Sequence, residues 1–327
     1  MPGPAQHHLI FLIRKQSARY TVKAAKFDYI RADDLAHAQQ LLQQSGGDAK
    51  LIAGGQSLVP MMAMRLAQPA QLVDINRLEQ LKQRSTNEHT IRIGAAVRQC
   101  ELESDRELAK ELAKALPLLR QVMPWVGHQQ TRNRGTLGGS LVHADPSAEL
   151  PLAALILDAR LCLASEANGE RWLPASEFFI APMECAINDT ECLTEIEWPR
   201  WSGERIAAAF DEIAIRKGDF AIATAGCQMQ LDDDARISRI AFGLGGVAGT
   251  PLAFPQLSTR LIGQALTGEM ISDTVSEAVQ HTDPGSDMHA GANYRRHLAA
   301  TLLQRVLTRA YDELSGSPGL ERDSAYA

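Results

Sequence analysis

No Cys-x-x-Cys pair occurs in the 327 residues. The five cysteines, Cys100, Cys162, Cys185, Cys192 and Cys227, are odd in number and scattered, which argues against a disulfide framework, a zinc site or an iron–sulphur cluster built within this chain. Free thiols suit a reducing cytoplasm. The nine histidines include no His-x-x-x-His pair, so metal binding is disfavoured. No Gly-x-Ser-x-Gly elbow is present, and Ser140, His143 and Asp145 do not amount to a hydrolase triad on proximity in sequence alone. There is no block of basic residues, and with a net charge of −6 the chain lacks an electrostatic footprint for nucleic acid. Long apolar runs are missing too: 152–163 is broken by Asp158 and Arg160, so no membrane span is expected. The run 9–13 is too short for a signal-peptide core and has Arg14 and Lys15 on its wrong side. Internal repeats and low-complexity tracts are absent.

What is present reads as a soluble globular protein, with 45% hydrophobic against 22% charged residues and enough length for two or three domains. Residues 1–21 read as an N-terminal extension, and a domain begins naturally at Val22, which would also fit translation starting there from a non-AUG codon. Asp33 and Asp34 open an amphipathic helix carrying Leu35, Ala38, Leu41 and Leu42, which ends before Gly46-Gly47. Strands are expected at 50–53 and 72–75, making a small βα-type unit, and at 90–95. Ser104-Asp105-Arg106-Glu107 matches a capping box ahead of a helix with Leu108, Leu112 and Leu116. Further strands are expected at 160–163 and 194–198, with loop around Pro174 and Pro182 between them. The turn-rich stretch 199–204 marks a domain boundary. Beyond it lie strand candidates at 208–216, 222–231 and 237–242, then helices at 272–281 and 293–314. Strands followed by helices predict an α+β terminal domain with a small antiparallel sheet, to about 314, and a tail at 315–327.

Two glycine pairs stand out. Gly54-Gly55 follows the strand Ile52-Ala53 and leads into Gln56-Ser57-Leu58; Gly138-Gly139 sits in Thr136-Leu137-Gly138-Gly139-Ser140. Each alone reads as an ordinary tight turn. Together they suggest one long anionic ligand, such as a dinucleotide, whose phosphates are met by main-chain N–H groups. Downstream, Asp145-Pro146 reads as an N-cap with proline at the first helical position, opening an apolar helix through Leu150 and Ile156. The third glycine-rich stretch, 243–249, runs into Thr250-Pro251 instead of a helix, so it reads as a structural turn and not a Rossmann fingerprint. Arg216-Lys217-Gly218-Asp219-Phe220 reads either as a solvated hairpin end or as a ligand contact. In the second case its cation would suit the pyrimidine edge of a reduced flavin.

The stretches 53–62 and 133–146 closely resemble the two FAD-binding motifs of the medium subunit of molybdenum hydroxylases of the carbon monoxide dehydrogenase and xanthine dehydrogenase type. The resemblance runs from about residue 23 to about residue 310. It implies an α+β chain: a two-part FAD-binding region of the vanillyl-alcohol-oxidase (PCMH) type at 22–200, with subdomains at about 22–80 and 81–200, then a C-terminal α+β domain at 205–314. It also implies that Ile52, Ala53, Gly54, Gly55, Gln56, Ser57 and Leu58, with Thr136, Leu137, Gly138, Gly139 and Ser140, hold the pyrophosphate and ribityl chain of FAD. By the same resemblance Asp145, Glu149, Lys217 and Phe220 lie near the cofactor, and Leu193 supplies an apolar wall. Some relatives carry a lysine near the flavin around Asp211 and Glu212; this chain is acidic there, and that contact does not carry over.

The implied role is electron relay. A large subunit would oxidise substrate at a molybdopterin centre, a small subunit would pass electrons through two [2Fe–2S] clusters, and FAD here would deliver them to an external acceptor. Two alternatives remain open from the sequence: a stand-alone flavin oxidase on the same fold, and a non-redox binding or assembly module that lost the cofactor.

Overall fold

The computed structural model describes residues 23–316. The expected extension 1–21, with the start at Val22, lies outside the described residues, as does nearly all of the expected tail.

The first unit is a three-stranded parallel sheet in the order β1–β3–β2, formed by β1 (Asp28–Arg31), β2 (Ala49–Ile52) and β3 (Gln71–Asp74), with helices α1 (Leu35–Ser45) and α2 (Leu58–Ala63) in the connections. The ends of α1 follow from single residues. The Asp34 carboxylate accepts the His37 N–H at 2.7 Å, and Gly46 closes the helix at φ 61°. Its buried face sets Ala38 and Leu42 against Val73, Ile75 and Leu81 in a small core of its own.

The second unit holds a five-stranded antiparallel sheet in the order β4–β5–β10–β6–β7. Its strands are β4 (Arg84–Thr86), β5 (Thr90–Gly94), β6 (Arg160–Ser165), β7 (Gly169–Pro174) and β10 (Cys192–Pro199). Between β5 and β6 come the helices α3 (Gln99–Ser104), α4 (Arg106–Ala115), α5 (Pro117–Val122), α6 (Gln129–Arg132), α7 (Leu137–His143) and α8 (Glu149–Ile156). Trp198, Ile93, Leu102, Leu112 and Leu141 meet in the largest core. The stretch expected as loop around Pro174 and Pro182 is structured: β7 ends in α9 (Ala175–Phe178), and a short hairpin joins β8 (Phe179–Ala181) to β9 (Glu184–Cys185). Its order comes from Ala175 and Phe178, both fully buried.

Two expected helix starts move. Ser104 is not the cap of a capping box; it ends α3, and the Asp105 side chain caps α4 by accepting the Leu108 N–H at 3.0 Å. Asp145 does not cap α8. Its carboxylate closes a local turn on the Ser147 N–H at 2.8 Å, and the Pro146 carbonyl accepts the Gly246 N–H, so the helix begins at Glu149 with Ala148 at the N-cap.

The third unit is a four-stranded antiparallel sheet in the order β11–β12–β13–β14, with β11 (Ile206–Ala214), β12 (Ala221–Leu231), β13 (Ile237–Gly245) and β14 (Leu252–Ala253). Helices α10 (Pro255–Leu261), α11 (Gly268–Gln280) and α12 (Ala292–Ser315) complete it. The mixture of parallel and antiparallel sheets segregated from helices is the expected α+β class. Leu298, Leu302, Leu303 and Val306 of α12 join Cys227, Met229 and Phe242 in a separate core. This sheet is tied to the second unit by a buried amide: Gln228 Oε1 accepts the Leu118 N–H at 3.1 Å, and its Nε2 donates to the Ala115 carbonyl at 3.4 Å. Stretch 243–249 finishes β13 and turns at Gly246, as its sequence suggests. All five cysteines are free thiols. Among the described residues no helix is long and apolar enough to cross a membrane.

Candidate functional site

Parallel strands β2 and β3 end side by side, and the carboxyl ends of such strands are where ligands bind in open sheets. There a cleft of about 490 Å³ is lined by Ile52, Ala53, Gly54, Gly55 and Gln56 from one loop and by Tyr29, Asp74, Asn76 and Arg134 from others. Gly55 sits at φ 71°, a backbone state that L side chains rarely adopt. The turn it makes leaves the N–H groups of Gly55, Gln56, Ser57 and Leu58 outside every hydrogen bond among the described residues. Successive free N–H groups form an anion-binding concavity.

Ser57 and Leu58 are half-buried, at the start of α2. The two glycine-bearing stretches do come together. A Cβ on Gly54 would stand 2.4 Å from the Arg134 carbonyl oxygen and 2.7 Å from the Gly135 Cα, so the loops touch main chain to main chain.

Gly138-Gly139 is not a turn. Both lie in the first turn of α7, capped by Thr136, whose hydroxyl accepts the Gly139 N–H at 3.0 Å. The N–H groups expected to face an anion are engaged within the protein: Leu137 donates to the Val97 carbonyl at 3.0 Å, Gly138 to Ala95 at 2.8 Å and Ser140 to Thr136 at 3.2 Å. Gly138 is a packing glycine, since a Cβ there would lie 2.5 Å from that of Ala95. Gly139 is exposed and Ser140 half-buried, so this stretch offers a ligand a bare main-chain surface and a hydroxyl.

Four residues at the first cleft escaped the sequence reading. Tyr29 donates a short hydrogen bond to Asp74, and Asn76 donates from its main-chain N–H at 2.8 Å and its side-chain amide at 2.6 Å to the same carboxylate. Burial opposes ionisation of Asp74, but these donors outweigh it and hold the carboxyl below its ordinary range. The Asn76 amide also donates to the Ala53 carbonyl at 2.7 Å, and Arg98 donates to Asn76 Oδ1 at 2.6 Å and to the Arg134 carbonyl. Burial, then the charge of Arg134, lowers the Arg98 pKa. Arg98 thus fastens the Gly54 loop to the Arg134 loop. Polar residues at the last position of a parallel strand and just beyond it, as Asp74 and Asn76 are, are the signal that would have found two of them; the reach of Arg98 leaves no mark in the sequence.

The remaining expected residues fall farther along the second and third units. Asp145 lies half-buried before α8, and Glu149 is 8% exposed in its first turn, where burial pushes its carboxyl up to about 7. Leu193 is buried in β10 among core residues and does not line the cleft. Lys217 and Phe220 are exposed at the end of the β11–β12 hairpin, which makes that segment a solvated hairpin end in its local form. Lys217 also lines a second cleft, with Trp125 and Glu212.

Two family models match the chain: the FAD binding domain in molybdopterin dehydrogenase over residues 25–201, and the CO dehydrogenase flavoprotein C-terminal domain over residues 208–310. The chain is 38% identical over 292 residues to the 6-hydroxypseudooxynicotine dehydrogenase complex subunit alpha of Paenarthrobacter nicotinovorans, covering 88% of this chain and 96% of that one. It is 33% identical over 293 residues to the caffeine dehydrogenase subunit beta of a Pseudomonas species, covering 90% and 97%. Among solved structures, a chain of the carbon monoxide dehydrogenase of Hydrogenophaga pseudoflava superposes with a TM-score of 0.84 at 31% identity, covering 89% of this chain and 99% of that one. The chain therefore belongs to the FAD-binding medium subunits of the carbon monoxide dehydrogenase and xanthine dehydrogenase family, with FAD as its cofactor and an oxidoreductase complex as its setting.

Proposed function

We propose that this chain is the electron-transfer subunit of a heterotrimeric molybdenum hydroxylase. It receives electrons from the [2Fe–2S] clusters of a small subunit, which a molybdopterin-bearing large subunit supplies, and passes them through FAD to an external acceptor. The observation that carries this reading is the contact between the Gly54 loop and the Arg134 loop, one presenting free N–H groups and the other continuing into the bare main chain at Gly139. A cradle drawn from two loops suits a long ligand with a pyrophosphate at its middle.

These residues fit FAD. In the proposed arrangement Gly54, Gly55, Gln56, Ser57 and Leu58 hold the pyrophosphate, with Ile52 and Ala53 delivering the loop from β2. Thr136, Leu137 and Gly138 hold α7 in place, and Gly139 and Ser140 meet the cofactor. Asp145, Glu149, Lys217 and Phe220 stand toward the flavin ring, with Leu193 as an apolar support behind it. Bound there, FAD supplies a centre that accepts electrons singly and releases them singly or in pairs. The chain's own task is to bind it, orient it and set its surroundings. We further place the domain divisions at 22–200 and 205–314 and the complex in a reducing cytoplasm, in keeping with five free thiols.

The test is recovery of the tagged chain from its native source without oxygen. Co-purification of two further subunits, with molybdenum, iron and FAD in the eluate, is the expected result. A lone chain that turns over a substrate by itself would instead establish a stand-alone flavin oxidase.

A further inference from the structure

The second cleft, of about 390 Å³, lies where the third unit meets the second, lined by Pro124 and Trp125 from one and by Glu212, Ile213, Ala214, Arg216 and Lys217 from the other. Glu212 is 6% exposed, and its Oε2 has no hydrogen-bond partner. Among the described residues it makes no ion pair, whereas the adjacent Asp211 is met by Arg305 at 3.8 Å and Arg309 at 3.5 Å from α12. Directly opposite Glu212 in the β11–β12 register is Thr224, whose Oγ1 is likewise buried and unpaired. A native fold rarely leaves the polar atoms of two cross-strand partners buried and unpaired, because each unsatisfied group is costly. Of the two, Glu212 lines the cleft, and a ligand seated there would supply a partner for its carboxyl.

The surroundings set which partner is wanted. Burial, then the charge of Glu149 at the start of α8, then Asp211, push the Glu212 carboxyl up to about 8. Arg216 and Lys217 line the same cleft but are exposed, and neither is drawn into a pair with it. Glu212 is therefore protonated at neutral pH. A neutral carboxylic acid is a donor, where a carboxylate would only accept. Trp125, whose ring centroid lies 6.0 Å from that of Phe210, gives the cleft an aromatic lining that suits a flat ring.

We propose that Glu212 donates a hydrogen bond into this cleft, to a carbonyl oxygen or ring nitrogen at the edge of the bound flavin. This rests on the FAD reading above. Burial does most to keep the proton on Glu212, and the nearby Glu149 carboxyl adds to it. When the flavin gains negative charge on reduction the accepted hydrogen bond strengthens, since charge-assisted bonds are shorter and stronger than neutral ones. The acid C=O of Glu212 then reports the redox state of the ring.

The test is an infrared difference spectrum, reduced minus oxidised, of the full chain loaded with FAD at neutral pH, with flavin content measured first. The expected result is a carboxylic-acid C=O band that shifts on reduction, moves in heavy water and is lost in Glu212→Gln. A band unaffected by reduction, or one that persists in Glu212→Gln, overturns the inference while leaving the FAD reading intact. Absence of bound flavin after loading overturns both. If Glu212→Gln does not fold, Glu212→Asp decides: the shorter side chain draws the acid away from the ring, so a band whose shift on reduction changes in that variant is that of Glu212, and a band with an unchanged shift overturns the proposal.

Discussion

Gly54 and Arg134 are in main-chain contact: a Cβ on the glycine would stand 2.4 Å from the arginine's carbonyl oxygen. Neither backbone can retreat freely, because Arg134 O also accepts from Arg98 and Gly54 leads directly into the Gly55 turn. Gly54→Ala must therefore part the two loops. Overpacking of this kind costs about 1–3 kcal/mol. The expected outcome is a lower melting temperature together with loss of retained flavin after desalting. Full flavin retention would show that the loops can separate without disturbing the cradle.

Arg98 is the strap across the same seam. Arg98→Lys keeps the charge but cannot donate in a fork to both Asn76 and Arg134. The Asn76 acceptor is part-buried, and leaving it unpaired costs about 1–3 kcal/mol, whereas water can replace the donor at the exposed Arg134 carbonyl. We expect FAD affinity to fall on the order of tenfold, by fluorescence titration, with a smaller loss of fold stability. Unchanged affinity would mean that the loops hold their spacing without the strap.

Gly139→Asp places a negative charge at the start of α7 and a Cβ 2.7 Å from the Thr136 hydroxyl, which must turn aside to admit it. A carboxylate there would repel the phosphates, so flavin content should drop to near zero while the circular dichroism spectrum is retained. Flavin content equal to that of the parent chain would refute the placement of the cofactor along α7.

The Glu149 and Glu212 carboxyls carry a pH signature of the opposite sign to most acids. Burial raises both in the folded chain, to about 7 and about 8, above their value in the unfolded one. Between pH 4.5 and those values the folded state binds more protons than the unfolded state. Stability therefore falls as pH rises through that window, and the loss is complete above the folded values. Glu149→Gln should flatten the fall, so that its melting temperature exceeds that of the parent at pH 8 by about a few degrees. Parallel melting curves across pH 5–8 would show that the pair ionises freely.

Much of the fold can be read from single residues. Asp34 and Gly46 bound α1 because one offers a carboxylate to a free N–H and the other takes a left-handed backbone. Three strands and two helices of the third unit emerge from alternation and helical spacing, with ends displaced by a few residues, whereas the two-residue β14 and the short α10, opened by Pro255, were not expected. Two failures share one cause. Gly138-Gly139 looked like a turn, yet Thr136 caps a helix there because Ala95 and Val97 accept the neighbouring N–H groups from across the fold. Asp145 looked like a cap, yet a tertiary bond from Gly246 to the Pro146 carbonyl holds that segment out of the helix. The Gly54 loop was legible because its free N–H groups are a local property. The Arg98 strap and the facing of Glu149 and Glu212 are products of tertiary assembly, for which the chain carries no local pattern.

The measurement that bears most directly on the account is the visible absorption spectrum of the purified chain after incubation with FAD and desalting, followed by acid release and identification of the chromophore. The account predicts a flavin band near one equivalent, non-covalently held and released as FAD. A chain that remains colourless after loading would contradict it and leave a binding module without redox function.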